Sequence, residues 1–530
     1  VNPDVTKKPG TAPASAAQRR LWFLDHFTSG NSAYNLFAAV RLRGPLDTGA
    51  LHRALQRIVD RHEVLRTTFQ VEGGEPYQHI AAELELALPI TDLAEIPASE
   101  RAARATALIE SETLHEFDLA RGPLIRTSLL RLDGEDHVLA VVCHHTVFDG
   151  WSMGRFYQEL SVLYEADRAG QEPQLDPLPQ QFGDHAARER AELLGAAHQA
   201  SLARWRDGLA GAPALLELPT TYTRPAVQGF EGASYDLELG QELWQAMART
   251  ARKHRVTPFM ALLSTFAVLL ARLSGTEDLV SGMFVNTLPL RIDLGADPTF
   301  AELLGRTRRT TLEAFTHQGV PLEQIVTDLR LDRTTSHDPL FQTMFALQQP
   351  MPLPQLAGLA PEILPVRSPT IFTDLWLDIR PDGDGGGVCT FRYRTELFDA
   401  ETVRRLAQQY RTLLGAAADS PESKVSELSL LDAEEADLIL RRWSRTADEH
   451  PWDVPVHELI ERQAASTPEA TAVVFESTRL SYAELSGRSR LVARRLAEHG
   501  ATAGAVVALC LPRGVELLPS ILGVLGIGSA

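Results

Sequence analysis

The stretch His144-His145-Thr146-Val147-Phe148-Asp149-Gly150 sets two imidazoles, a carboxylate and a glycine amide side by side. The apolar run before it, Val138-Leu139-Ala140-Val141-Val142, reads as a buried strand. The Asp-Gly pair then turns the chain towards a helix. A base, a carboxylate and a backbone amide therefore converge at one strand end, which suits moving a proton off a nucleophile beside a carbonyl carbon. Neighbouring side chains on a strand point to opposite faces, so His144 and His145 are not expected to share one task. Zinc is the competing chemistry for His144, His145 and Asp149. Opposite-facing imidazoles and the lack of a clear third or fourth ligand in the pattern argue against a metal. Cys143 ends a buried strand and lacks the accessible, electropositive setting of a nucleophilic thiolate.

The surrounding pattern must position these groups. Leu51, Leu55, Ile58 and Val59 recur at helical spacing. Ile125 to Leu132, a turn at Asp133-Gly134, and Val138 to Val142 read as a hairpin. Ser152 to Tyr164 reads as a helix, and the proline-rich residues 171–181 as a crossover. The second half repeats the mixed pattern. Thr257 fits an N-cap, Pro258 the first helical position and Gly275 the stop of a mostly apolar helix, Phe259 to Ser274. Leu279 to Leu290 reads as one strand, and Asp382 to Gly387 as a turn before strand Val388 to Thr395. A helix, Ala400 to Leu414, follows. Residues 442–455 are polar and proline-punctuated, as expected of a linker. A new unit then begins: helix His457 to Ala465, strand Ala472 to Phe475, helix Tyr482 to His499, strand Ala505 to Leu511.

The whole chain bounds the function. It has 530 residues, 44% hydrophobic and 23% charged, in the ordinary range for a soluble globular protein. Its formal net charge of −18 disfavours nucleic acid as a partner. Three dispersed cysteines, Cys143, Cys389 and Cys510, suggest a reducing, cytoplasmic setting over a disulfide framework. The apolar stretch Leu517 to Ala530 is too short to span a bilayer, so no membrane role is expected.

An ordered series of motifs resembles the condensation domain of nonribosomal peptide synthetases. Ser15 to Leu24 is similar to the first family motif, Arg61 to Phe69 to the second, and His144 to Ser152 to the active-site motif. Gly282 to Thr287, His317 to Glu323 and Pro339 to Gln342 resemble the fifth, sixth and seventh. One segment departs: Phe182-Gly183-Asp184-His185-Ala186 has His185 where the family has an aromatic residue. The C-terminal unit resembles the start of an adenylation domain, with Leu480 to Leu485 as its first motif and Leu522 to Ala530 as its second, cut short. That family's Gly-rich ATP loop and a carrier signature are missing. The expectation is an excised piece of a longer multimodular enzyme, in a secondary-metabolism pathway such as antibiotic or siderophore biosynthesis.

The resemblance implies an α/β fold like chloramphenicol acetyltransferase, with two αβα lobes in a V-shaped pseudo-dimer and a tunnel between them. The expected organisation is a linker at 1–14, an N-terminal lobe at 15–180, a C-terminal lobe at 181–435, a linker at 436–455, and an adenylation fragment at 456–530. The activity it implies is peptide-bond formation between a donor thioester and the α-amine of an acceptor thioester. Upstream donor and downstream acceptor carrier proteins would present both on phosphopantetheine, with no cofactor bound directly. Gly150 to Gly154 and Leu160 to Tyr164 resemble the subtype joining L-configured donor and acceptor. An epimerisation domain and a catalytically silent recruitment domain are the alternatives.

By resemblance, His145 faces the tunnel and catalyses, while His144 packs structurally. Gly150 suits a tight turn, and its amide is a candidate oxyanion donor. Asp149 is expected to form a structural salt bridge, first with Arg291, alternatively with Arg61 or Arg66. Losing one member of such a buried pair would cost about 3–5 kcal/mol. Gln18, Arg19, Trp151 and Asn286 are tunnel-lining candidates, Trp22 is core or tunnel wall, and His317 is structural.

Overall fold

The computed structural model describes residues 10–27, 32–283, 287–331, 334–348, 352–366, 369–383, 385–444 and 453–530. The chain divides into two compact units, 1–432 and 433–530.

The larger unit is built on two principal sheets. The first has five strands in the order Ala360–Leu364, Asn35–Arg43, Asp136–His144, Ile125–Asp133, Ile90–Asp92. The expected hairpin is its centre: Ile125–Asp133 and Asp136–His144 pair antiparallel. The helix Thr48–Arg61 buries Leu51, Leu55, Ile58 and Val59, the stripe its spacing predicts. It packs against the helix Gly150–Ala169, and both close the first hydrophobic core over the sheet. A small sheet, Thr11–Pro13, Glu75–Ile80 and Thr67–Glu72, flanks this half.

The second sheet has six strands in the order Leu288–Asp293, Asp278–Met283, Thr343–Leu347, Leu375–Pro381, Gly387–Arg394, Gly232–Leu239. Its core is dominated by the helix Pro258–Ser274, whose side chains are buried from Met260 to Ala271. The helix starts and stops as expected. The Thr257 hydroxyl accepts from the Met260 amide at 3.3 Å, and Gly275 takes φ +73°. Together with the preceding helix Gln241–Lys253 it forms a bent pair apolar enough for a membrane by composition alone. No single helix among the described residues is long and apolar enough to cross one.

Two segments cross between the halves. Helix Phe182–Glu192 follows the proline-rich crossover but packs on Thr11–Pro13. Residues 352–366 leave the second half, run along helix Gly150–Ala169, and add strand Ala360–Leu364 antiparallel to Asn35–Arg43. Three positions one heptad apart hold this strap. Pro352 lies 3.7 Å from where a Cβ on Gly154 would sit, Ser161 Oγ accepts from the Gln355 amide at 2.7 Å, and Arg168 donates to the Ala357 carbonyl at 2.8 Å.

Two expected strands are corrected. The single strand Leu279 to Leu290 is an antiparallel pair, with Leu288 opposite Met283 and Asp293 opposite Asp278. Both arms are buried in the sheet, so the apolar run gives no sign of the reversal. In the smaller unit, Ala505 to Leu511 is not a strand, although Val507 and Ala505 exchange main-chain bonds with Ala530. Strand Thr471–Phe475 instead pairs with Thr478–Ser481, and helices Val456–Ser466, Tyr482–Glu498 and Leu517–Gly526 complete the unit.

Candidate active site

The His144 to Gly150 motif lies where the central strand of the first sheet gives way to a helix. His144 is the last strand residue and pairs with Asn35. The His145 amide extends the ladder one step further, donating to the Tyr34 carbonyl at 2.9 Å. The chain then turns, closed by the Val147 amide on the His144 carbonyl at 3.0 Å, and Asp149 caps the helix that begins at Gly150.

The two histidines have opposite fates. His144 is 1% exposed. Its Nδ1 accepts from the Thr146 amide at 3.3 Å and lies 2.8 Å from the Thr146 hydroxyl, which leaves the ring proton on Nε2. Burial, with a smaller effect of His145, pushes its pKa down to about 3. The Asp25 carboxylate, 3.9 Å from Nε2, therefore faces a neutral ring and forms no ion pair with it. Burial also pushes Asp25 up to about 6. His145 is only partly buried. Desolvation lowers its pKa and the Arg20 charge adds to this. Main-chain hydrogen bonds at His145 and Phe148, and the Asp149 charge, oppose it. The result is a neutral base at neutral pH.

Asp149 does not pair with the expected arginines. Its Oδ1 accepts from the Ser152 amide at 2.7 Å and the Ser152 hydroxyl at 2.6 Å, at an exposed helix N-cap. Arg291 instead grips Asp278 at 2.7 Å across the second sheet's edge hairpin. Arg61 faces Glu159 at 3.4 Å and donates to the Asp176 carbonyl, clasping the crossover. Arg66 donates to the carbonyls of Ala81 and Asp60. The carboxylate's need is met locally by the helix's unsatisfied amides, so it requires no cation.

Gly150 is not in the left-handed region, so it does not serve a tight turn. Its distinction is space: a Cβ there would meet nothing within 4 Å. The helix of 20 residues that Asp149 caps is therefore open on the Cβ side of its first residue.

The remaining expectations separate. Gln18 is 2% exposed and lies beneath the turn rather than along an open wall. Its Nε2 donates to the Thr146 carbonyl at 3.0 Å, and Ser15 and Gln78 take its other bonds. Arg19 is partly buried and donates to the Ala14 carbonyl at 3.4 Å. Trp151 is 77% exposed, so it is not core. Trp22 packs on the first core and stacks on His26. Asn286 lies outside the described residues. His317 bonds Ser201 at 3.0 Å and accepts from Trp205 through its carbonyl, a structural setting. His185 keeps a ring contact with Phe182 at 5.6 Å despite replacing an aromatic residue. Among the described residues, no three His, Cys, Asp or Glu side chains converge as metal ligands.

Sequence reasoning missed Arg20, Tyr34 and Asp338. Arg20, paired with Glu323 at 3.1 Å, places its charge near His145, Tyr34 and Asp338. Burial pushes the Asp338 carboxyl up to about 6 against the pull of Arg20 and Arg394. Arg20 stood inside a quoted motif, but nothing in its spacing told which helix face meets the site.

The comparisons agree with this architecture. The family model described as Condensation domain matches residues 8–440, and that of AMP-binding enzyme matches 460–530. A linear gramicidin synthase polypeptide of Brevibacillus parabrevis is 39% identical over 98% of the chain, which spans 10% of that protein. The X-domain from teicoplanin biosynthesis, solved in complex with OxyB, is 28% identical with a TM-score of 0.71, over 81% of this chain and 98% of that one. A four-domain nonribosomal peptide synthetase bound to AMP and glycine shares the fold, with a TM-score of 0.83 at 23% identity, over all of this chain and 42% of that one.

Proposed function

Because the chain belongs to the condensation-domain family of nonribosomal peptide synthetases, we propose that it joins two carrier-tethered thioesters through an amide bond. The observation that carries this reading is the neutral imidazole of His145, five residues before a helix whose first residue, Gly150, is open on its Cβ side. A free α-amine has a pKa of about 7.7–8.0, so much of the acceptor is already nucleophilic near neutral pH. His145 orients that amine and takes its proton as the C–N bond forms on the donor carbonyl. The Gly150 amide, at the positive helix end, donates to the developing oxyanion. Collapse breaks the C–S bond, and the thiolate leaves with the proton that His145 held. Holding two tethered reactants together supplies a large share of the rate by itself. Upstream and downstream carriers deliver the substrates on phosphopantetheine, and the L-to-L subtype rests on Gly150 to Gly154 and Leu160 to Tyr164.

The test loads two separate carrier proteins with donor and acceptor aminoacyl groups and seeks dipeptidyl-carrier by mass spectrometry. Product with the wild-type chain, and its loss in His145→Ala, is expected. No product from the wild type, or full product from His145→Ala, overturns the assignment. Deuterium uptake at the donor α-carbon without condensation would favour epimerisation instead. A recruitment role is the second reading, favoured by the likeness to an X-domain solved with a partner protein. The retained His145 and the open space at Gly150 weigh against it.

A further inference from the structure

The segment that opens the first helix does more than start it. Ser15-Ala16-Ala17-Gln18 leads into helix Ala16–Phe27. Ser15 Oγ accepts from the Gln18 amide at 3.2 Å, and Gln18 Oε1 accepts from the Ser15 amide at 3.0 Å. This reciprocal pair is a capping box, in which the third helical residue closes back on the cap. It also fixes the Gln18 side chain. With Oε1 committed to Ser15, the Nε2 group points the other way, and it carries two protons.

Both protons are used inside the protein. One goes to the Thr146 carbonyl at 3.0 Å, the other to Gln78 Oε1 at 3.3 Å. Gln78 Nε2 in turn donates to the Pro13 carbonyl at 2.8 Å. Gln18, Gln78 and Thr146 are all buried, so water does not compete for these bonds. The anchor behind them is tight. The Ala16 amide donates to Glu189 Oε2 on helix Phe182–Glu192 at 2.8 Å. Gly183 of that helix lies so close that a Cβ on it would approach the Ala12 methyl to 3.0 Å.

Thr146 follows His145 directly. The peptide before the imidazole is held by strand pairing, through the His145 amide on the Tyr34 carbonyl at 2.9 Å. Beyond the imidazole, the Thr146 carbonyl is held by Gln18, 128 positions away in sequence. His145 is thus gripped by the sheet on one side and by a side-chain amide from another element on the other. We propose that Gln18 is a positioning residue for His145, its side-chain amide setting the direction of the imidazole by holding the Thr146 carbonyl. This rests on the condensation reading for the role of His145 itself.

Steady-state condensation between two loaded carriers reads the effect, with rates normalised to folded protein. Gln18→Met keeps the length of the side chain and loses both donors. Its kcat should fall about 10- to 100-fold, the scale of a misplaced catalytic group, while KM for either carrier stays within about threefold. Gln18→Glu keeps the oxygen that Ser15 uses and, when ionised at about pH 8, has no donor for Thr146. It should be as slow there, and gain on wild type towards about pH 6, where a buried carboxyl regains a proton that can reach Thr146. Thr257→Ala, a lost cap in the second half, lowers stability without touching the turn and should keep kcat within about twofold. Wild-type kcat in either Gln18 variant, changes in KM as large as those in kcat, or an equal loss in Thr257→Ala overturns the assignment. Failure of both Gln18 variants to fold overturns it too, since Gln18 would then be a structural residue. In each of these cases wild-type turnover with an inactive His145→Ala leaves the condensation reading standing, whereas absence of wild-type turnover removes both.

Discussion

His144 and His145 are neighbours in sequence with different proton chemistry. The strand alternation sends His144 into the first core, where Thr146 fixes its tautomer and burial keeps it neutral. An unfolded histidine takes up a proton near pH 6.5, so the unfolded state binds the extra proton between about pH 6.5 and 3. His144 therefore costs stability progressively as pH falls through that window. Asp25 and Asp338, raised to about 6, act the opposite way: the fold holds protons that the unfolded carboxyls lose between about pH 4 and 6, so their contribution is full below about pH 4 and is lost as pH rises through 6. Urea unfolding of His144→Asn should show a shallower acid loss than wild type, most clearly below pH 5. Parallel slopes would refute the assignment of that loss to His144. Two residues on, the Thr146 carbonyl is braced by Gln18, a link no local pattern announced because its partners are remote in sequence.

At the scale of elements, the strand-to-helix junction is governed by capping rather than by ion pairing. Asp149→Ala should cost about 1 kcal/mol, the usual effect of a lost N-cap, and not the 3–5 kcal/mol of a broken buried pair. Asp149→Ser should hold most of the stability, while a loss near 4 kcal/mol in urea melts would reinstate a hidden charge partner. Gly150→Ala separates fold from function. Alanine is the better helix former by about 1 kcal/mol and its methyl meets no atom, so thermal stability should hold or rise. The same methyl intrudes on the open first turn, so kcat for condensation should fall at least tenfold. Unchanged turnover would mean that the space before Gly150 is not where the substrate carbonyl sits.

For the larger unit as a whole, the strap 352–366 is one of two segments that join its halves. It lies along helix Gly150–Ala169 at Gly154, Ser161 and Arg168 before its strand enters the first sheet. That helix also follows directly on the His144 to Asp149 turn, so the strap and the motif share one element. Ser161→Ala combined with Arg168→Ala removes two of the three tethers. Hydrogen exchange should then quicken across 352–366 by tenfold or more while strand Asp136–His144 stays protected. Equal loosening of both would show that the strap has no independence from the core.

Local rules were enough to write down much of this protein from its sequence. Thr257, Pro258 and Gly275 bracket their helix as short-range capping dictates, the stripe Leu51, Leu55, Ile58 and Val59 names its buried face, and the Asp133-Gly134 turn sets the central hairpin. The ordered motifs likewise carried the family and the paired histidines. What stayed hidden depends on which distant residues meet. The reversal inside Asp278 to Asp293 was masked because both arms are buried alike. The partner of Asp149 was misassigned because a carboxylate's charge predicts a cation, while a helix end supplies amides at closer range. Sequence determined elements and chemistry, since these follow from neighbours along the chain. Tertiary structure decided which polar groups are satisfied, because that is settled by contacts between residues remote from one another in the chain.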